Sequence, residues 1–136
     1  MAGYSNTPLV QKLGIKPQHL IMVLAEPSTY WDEVSPLPED VVVKKKPGKD
    51  PIDFIHLFVR EKKVFEKELL KNKKFLSQNG MIWVSWPKKS SKVETDITED
   101  VIRNFALKNG LVDIKVCAVN DVWSGLKLVI PVKERK

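Results

Sequence analysis

Short, nearly uninterrupted apolar runs punctuate this chain: residues 19–25 (HLIMVLA), 41–43 (VVV), 52–59 (IDFIHLFV), 81–86 (MIWVSW), 111–119 (LVDIKVCAV) and 126–132 (LKLVIPV). They are too short for typical helices, and those at 19–25, 52–59 and 81–86 are too uniformly apolar for strands with a wet face. Such runs predict strands of a mostly parallel sheet, buried on both sides. Between them, apolar residues recur at three- and four-residue steps. Thr7-Pro8 predicts the start of a short helix with Leu9, Val10 and Leu13 on one side, stopped by Gly14 in the left-handed conformation. Ser28 is placed to cap a second short helix through Tyr30, Trp31 and Val34, stopped near Pro36 and Pro38. Residues 61–77 predict a longer helix burying Val64, Phe65, Leu69 and Leu76, ended by Asn79-Gly80. Asp96-Ile97-Thr98-Glu99 has the form of a capping box, with Asp96 accepting from the first turn and Glu99 reaching back. That helix buries Ile97, Val101, Ile102, Phe105 and Ala106, and Asn109-Gly110 closes it.

Strands alternating with helices imply one α/β domain over residues 1–136, a three-layer sandwich with helices on both faces. The connection between the last two runs is so short that they must form an antiparallel hairpin. About six strands, mostly parallel and ending in a hairpin, describe a Rossmann-like sheet of the methyltransferase type. Strands one, three and four then lie at the centre, the second flanks the first, and the hairpin forms the other edge. Residues 44–51 (KKKPGKDP) leave no room for a helix between the second and third strands.

In open α/β sheets ligands bind beyond the carboxyl ends of the strands. That rim would gather residues 26–29, Arg60, residues 86–91 and the turn 120–124. Pro87-Lys88-Lys89-Ser90-Ser91-Lys92 offers cations and hydroxyls to an anion. The candidate ligand-binding residues are Trp86, Lys88, Lys89, Ser90, Trp123, Ser124, Glu26 and Thr29. The plainer alternatives are a surface loop for the lysines, an aromatic lid for Trp86 and Trp123, and a hairpin turn for Trp123-Ser124-Gly125. A dinucleotide or S-adenosylmethionine site needs glycines after the first strand, where this chain has Ala25-Glu26-Pro27-Ser28-Thr29. Lys44-Lys45-Lys46 stands where an acid would hold a ribose hydroxyl. No cofactor is expected.

The rest of the composition narrows the choice further. One cysteine and two histidines, far apart, argue against a disulfide framework and against a metal site. Cys117 reads as a buried thiol, and His56 as a core histidine donating to a backbone carbonyl. No apolar stretch approaches the ~18 residues of a membrane span, and residues 1–14 lack the pattern of a secretory signal. A cytoplasmic protein is expected. The net charge of +6 comes largely from lysine runs at 44–46, 71–74, 88–92 and 133–136. Acids interspersed along the helices make these solvated faces first and a weak nucleic-acid surface second.

Several segments resemble a known family: Tyr4-Ser5 with Thr7-Pro8-Leu9, Lys12-Leu13-Gly14-Ile15, Trp83-Val84-Ser85-Trp86-Pro87-Lys88-Lys89, Thr95-Asp96 with Thr98-Glu99-Asp100-Val101, and residues 110–119 with Trp123-Ser124-Gly125-Leu126-Lys127. Together they are similar to a family of small bacterial proteins of unknown function, along nearly the whole chain. Asn6 departs from the glycine of the opening motif. The resemblance implies a bacterial, cytoplasmic, stand-alone domain, and no reaction. The expectation is a non-enzymatic binding or interaction domain whose rim takes an anionic small molecule or a protein partner. The alternatives are an enzyme acting on a phosphorylated or anionic small molecule through an unusual pocket, with Lys88 or His56 as acid–base group, and a weak nucleic-acid binder.

Overall fold

The protein is described over residues 7–136 by a computed structural model. A short helix α1 (Leu9–Leu13) precedes strand β1 (Leu20–Leu24), followed by α2 (Tyr30–Glu33), β2 (Val42–Lys44) and β3 (Ile52–Phe58). Helix α3 (Lys62–Lys73), strand β4 (Leu76–Pro87), helix α4 (Glu99–Lys108) and the hairpin β5 (Val112–Ala118) and β6 (Trp123–Val129) complete the order. The six strands form one sheet in the order β2-β1-β3-β4-β6-β5. β2, β1, β3 and β4 run parallel, and β6 lies antiparallel between β4 and β5. The mostly parallel sheet with its terminal hairpin is the one expected from the apolar pattern.

Each sheet face carries its own core. On one face α3 and α4 bury Phe65, Leu69, Ile102 and Ala106 against Ile55, Leu57, Ile82, Val84 and Leu126. On the other, α1 and α2 bury Leu13, Tyr30 and Val34 against Ile21, Phe54 and Trp83. Trp83 Nε1 donates to Leu13 O at 2.7 Å, tying the end of α1 to the middle of β4. Among the described residues no helix is long and apolar enough to cross a membrane.

The missing helix between β2 and β3 has a geometric explanation. β2 pairs only from Val42 opposite Leu20 to Lys44 opposite Met22, and Met22 in turn lies opposite Ile55. The chain therefore leaves β2 only three residues above the start of β3, roughly 10 Å at ~3.3 Å per residue. A short extended loop spans that drop and the width of β1.

Several local expectations are corrected. α3 stops at Lys73 rather than residue 77: Phe75 O accepts from Ile52 N at 2.8 Å, and Leu76 pairs with Ile52 as the first residue of β4. Leu76 continued the helical spacing by coincidence, because it is buried from a strand. Asn79-Gly80 does not end a helix. It lies inside β4, where the register jumps from Ile52 opposite Leu76 to Phe54 opposite Met81. A Cβ on Gly80 would stand 2.8 Å from Leu76 Cδ1 and 3.0 Å from Asp53 O, so the close approach demands glycine. α4 is capped by Thr98, whose hydroxyl accepts from Val101 N at 3.2 Å. Asp96 instead accepts from Lys62 N at 2.6 Å and so caps α3. Glu99 pairs with Arg103, which also binds Asp100 and Asp113. Ser28 caps nothing: Thr29 is the residue before α2, without a side-chain cap bond, as Pro8 is before α1. The final strand occupies Trp123–Val129 rather than 126–132, so Trp123-Ser124-Gly125 is strand and not turn. The turn is made by Asn120, whose Oδ1 accepts from Val122 N and Trp123 N, both at 2.9 Å. Gly125 serves packing, since a Cβ there would meet Trp83 Cε3 at 3.1 Å.

Candidate functional site

Leu24, Leu57 and Val84 lie in register across β1, β3 and β4, so these strands end at one edge of the sheet. From β1 the chain moves outward to β2, then crosses back to β3 on the other side. The crevice between β1 and β3 is therefore the point at which the strand order reverses, the place where this architecture opens a cleft. A cleft of about 490 Å³ opens at this rim, reaching from Ala25 after β1 across the end of β3 to the loop after β4 and the β5–β6 hairpin. Its walls are apolar: Phe58, Val64, Val93, Val122 and Trp123, completed by Ala25, Val59, Arg60 and Glu61. Trp123 meets Phe58 edge-on, with centroids 5.1 Å apart, which fixes the indole against the end of β3.

Arg60 is exposed, and its guanidinium has no ion pair among the described residues. It also lines an adjoining cavity of about 360 Å³ with Glu61, Glu94, Thr95 and Asp96. The Arg60 backbone is held there, its carbonyl accepting from Thr95 Oγ1 at 2.6 Å. The loop after β4 is equally ordered. Lys88 N donates to Val122 O at 2.7 Å, a 3-10 turn spans Lys89–Ser91, and Ser91 Oγ links Lys88 O to Val93 N. Those bonds present Val93 to the cleft.

Of the residues proposed from sequence, Trp123 lines the cleft. Trp86 does not: it is 8% exposed and packs in the core beneath α3 and α4. Ser124 pairs with Trp86 across the strands, half-buried. Lys88 is half-buried, and Lys89 and Ser90 are exposed on the 3-10 turn, outside the cleft lining. The Glu26 carboxylate accepts from Trp31 Nε1 at 2.9 Å, and Thr29 is exposed at the start of α2. Phe58, Val64 and Val93 were not expected at a site, whereas Arg60 and Val122 stood in segments assigned to the rim. Val93 and Val122 carried a signal, being apolar residues inside polar loops.

His56 does not bond a backbone carbonyl. It is fully buried, with Nδ1 3.0 Å from Tyr30 Oη and Nε2 2.7 Å from Ser85 Oγ. Burial lowers its pKa to about 3 and raises that of Tyr30, so both stay neutral at ordinary pH. A serine beside an imidazole has the form of a nucleophile and base, but no substrate reaches side chains with no exposed surface. Cys117 is half-buried, its thiol pushed up by desolvation and eased down by Lys12 and Lys115. Among the described residues no cluster of His, Cys, Asp and Glu could hold a metal ion.

The architecture is that of the Rossmann-like methyltransferases. The chain is similar to a SAM-dependent methyltransferase from Aquifex aeolicus, at 14% identity over 90% of this chain and 87% of that one, with a TM-score of 0.62. A DhpI–SAH complex matches at 10% identity over 89% and 81%, TM-score 0.61. Magnesium protoporphyrin IX methyltransferase (ChlM) from Synechocystis PCC 6803 with bound SAH matches at 8% over 89% and 77%, TM-score 0.56. At such identities the likeness is one of fold alone. By sequence the chain belongs to the family described as "Protein of unknown function (DUF3052)", matched over residues 11–132. A search of curated proteins finds no match.

The cofactor of those neighbours does not fit the residues present. The turn after β1 is Ala25-Glu26-Pro27, with Ala25 already in the left-handed region at φ 60° and Pro27 lacking an N–H. Side chains occupy the turn where glycine would let a ligand approach the backbone. β2 stops level with Met22 and ends in exposed lysines, not in an acid at the rim.

Proposed function

We propose that this protein is a non-enzymatic binding protein on a methyltransferase-like scaffold, and that the cleft over the end of β3 is its site. The ligand is a small molecule with a flat apolar body for Phe58 and Trp123 and an anionic group for Arg60. The observation that carries this reading is the pairing, at the carboxyl ends of the strands, of an open apolar cleft with an arginine that has no ion-pair partner among the described residues. At about 490 Å³ the cleft is in the range of small-molecule pockets. A guanidinium suits planar carboxylates or phosphates through paired hydrogen bonds. Glu61, Glu94 and Asp96 next to Arg60 favour ligands that also carry a cationic group. Among its described lining residues the Glu61 carboxylate is the one ordinary proton-transfer group, and no histidine, cysteine, lysine or tyrosine stands there for covalent chemistry.

The test is a thermal-shift and tryptophan-fluorescence screen of aromatic carboxylates, amino-acid derivatives, nucleotides and S-adenosylhomocysteine. Hits are expected among planar anions, with quenching that is lost in Trp123→Leu and affinity that falls at least tenfold in Arg60→Ala. Stabilisation by S-adenosylhomocysteine that is indifferent to Arg60→Ala would return the cleft to cofactor use. Absence of any hit across the planar anions would remove the small-molecule reading.

A further inference from the structure

On the sheet face covered by α1, four lysines from separate segments come together away from the cleft. Lys12 on α1 places Nζ 3.2 Å from Ala118 O, at the end of β5. Lys115 on β5 reaches back with Nζ 2.9 Å from Lys12 O. Lys127 on β6 pairs directly with Lys115 across the hairpin and with Trp83 on its other side. Its Nζ lies over the turn at Gly14, 3.6 Å from where a Cβ would stand. Lys16 follows two residues after that turn and acts on the same ammonium.

One carboxylate borders this group at its edge: Glu33 lines a small cavity with Lys12, its oxygens accepting from Asn120 Nδ2, and none acts on Lys127. The charges acting on Lys127 are Lys115 and Lys16, and those acting on Cys117 are Lys12 and Lys115. Asp113, the nearest acid along β5, is bonded to Arg103 of α4 on the opposite face. Residues 1–6 (MAGYSN) contain no acidic side chain. Lys12 and Lys115 rest on backbone carbonyls, but among the described residues the Lys127 ammonium has no hydrogen-bond or ion-pair partner. Like charges directly opposite each other on adjacent strands are unfavourable, and so is a half-buried ammonium without an acceptor. The fold gains nothing from a charge at 127, where a methionine of similar length would cover the same surface. Burial, then Lys115 and Lys16, hold the Lys127 pKa below its usual value, as expected of a cation lacking its counter-charge.

We propose that Lys12, Lys16, Lys115 and Lys127 form a site for a compact multivalent oxyanion, phosphate or the phosphate group of a small metabolite. The anion sits between the β5–β6 hairpin and the end of α1, with Lys127 as its central donor. Lys12 and Lys115, already braced by carbonyls, supply flanking charge. The site is independent of the cleft, with which it shares no lining residue.

Thermal denaturation in inorganic phosphate, pyrophosphate or glycerol phosphate, each against potassium chloride at equal ionic strength, tests this. Wild-type protein is expected to gain several degrees in Tm over chloride with at least one of the three. A larger gain with glycerol phosphate than with the inorganic anions would assign the site to a phosphorylated metabolite, and the reverse to the free ion. Lys127→Met should lose that gain while being at least as stable as wild type at low salt without anion. Arg60→Ala should keep it, which separates this site from the cleft. Equal gains in wild type and Lys127→Met, or none in wild type, would overturn the proposal. The side-chain NMR resonances of Lys127 in the wild type give a second readout should the variant not fold. Their titration midpoint should move to higher pH with the effective anion, and an unmoved midpoint counts against the site.

Discussion

His56 shows most directly what a single buried side chain does to the whole. In the folded protein burial keeps its ring neutral down to about pH 3, whereas in an unfolded chain it takes up a proton near 6.5. Between those values the unfolded state binds more protons, so stability rises with pH there and is lost as pH falls. The slope approaches about 1.4 kcal/mol per pH unit at full difference. His19, also lowered by burial but partly exposed, adds a smaller effect of the same sign. Urea unfolding between pH 5 and 7, above most carboxylate titration, should show this slope, and His56→Gln should flatten most of it. Gly125 tests packing at the same scale. An added methyl would press on Trp83 Cε3 at 3.1 Å and Ser85 Oγ at 3.3 Å, both buried. Gly125→Ala should therefore cost about 1–3 kcal/mol, read by chemical denaturation, and a cost below ~0.5 kcal/mol would show that the hairpin yields at this point.

Helix ends are where one element comes to depend on another. The first turn of α3 is capped by Asp96, 34 residues along the chain, at 2.6 Å from Lys62 N. α4 is capped locally by Thr98. Each cap removed to alanine should cost about 1 kcal/mol. The two differ in a diagnostic way. Asp96→Asn, which keeps an acceptor, should recover much of the loss at Asp96, and hydrogen exchange should speed up in the first turn of α3 rather than of α4. Acceleration confined to α4 would restore Asp96 to the capping box that its spacing suggests. The same contact fixes the segment 94–96 beside Arg60, so the cap of one helix also shapes the edge of the cleft.

At the scale of the molecule, the cleft is a product of strand order. Its lining comes from the ends of β1 and β3, the start of α3, the loop after β4 and the β5–β6 hairpin. Apart from β3 running directly into α3, these segments become neighbours only when the sheet has formed. A ligand that bridges them at one hundred times its Kd would stabilise the folded state by about 2.7 kcal/mol. For a chain of this size that is a Tm shift of several degrees. A Tm shift retained in Arg60→Ala but lost in Trp123→Leu would mean that the apolar body alone drives binding.

Apolar runs and their spacing were enough to determine the number of strands, their mostly parallel course, the closing hairpin and the helices between them, because burial on one or both faces imposes its period on each segment. The glycine-free turn after β1 was likewise visible in the sequence. Tertiary structure alone decided which residues share a surface. Trp86 and Trp123 read alike as rim tryptophans, yet one side of β4 is roofed by α3 and α4 while Trp123 faces the crevice. Leu76 fitted a helix until pairing with Ile52 claimed it for β4. Lys12, Lys16, Lys115 and Lys127 lie in no basic run and meet only because the hairpin folds back over α1. Periodicity reports whether a position is buried within its own element. Which elements then cover it, and which charges are left facing one another, depends on contacts between segments far apart in the chain.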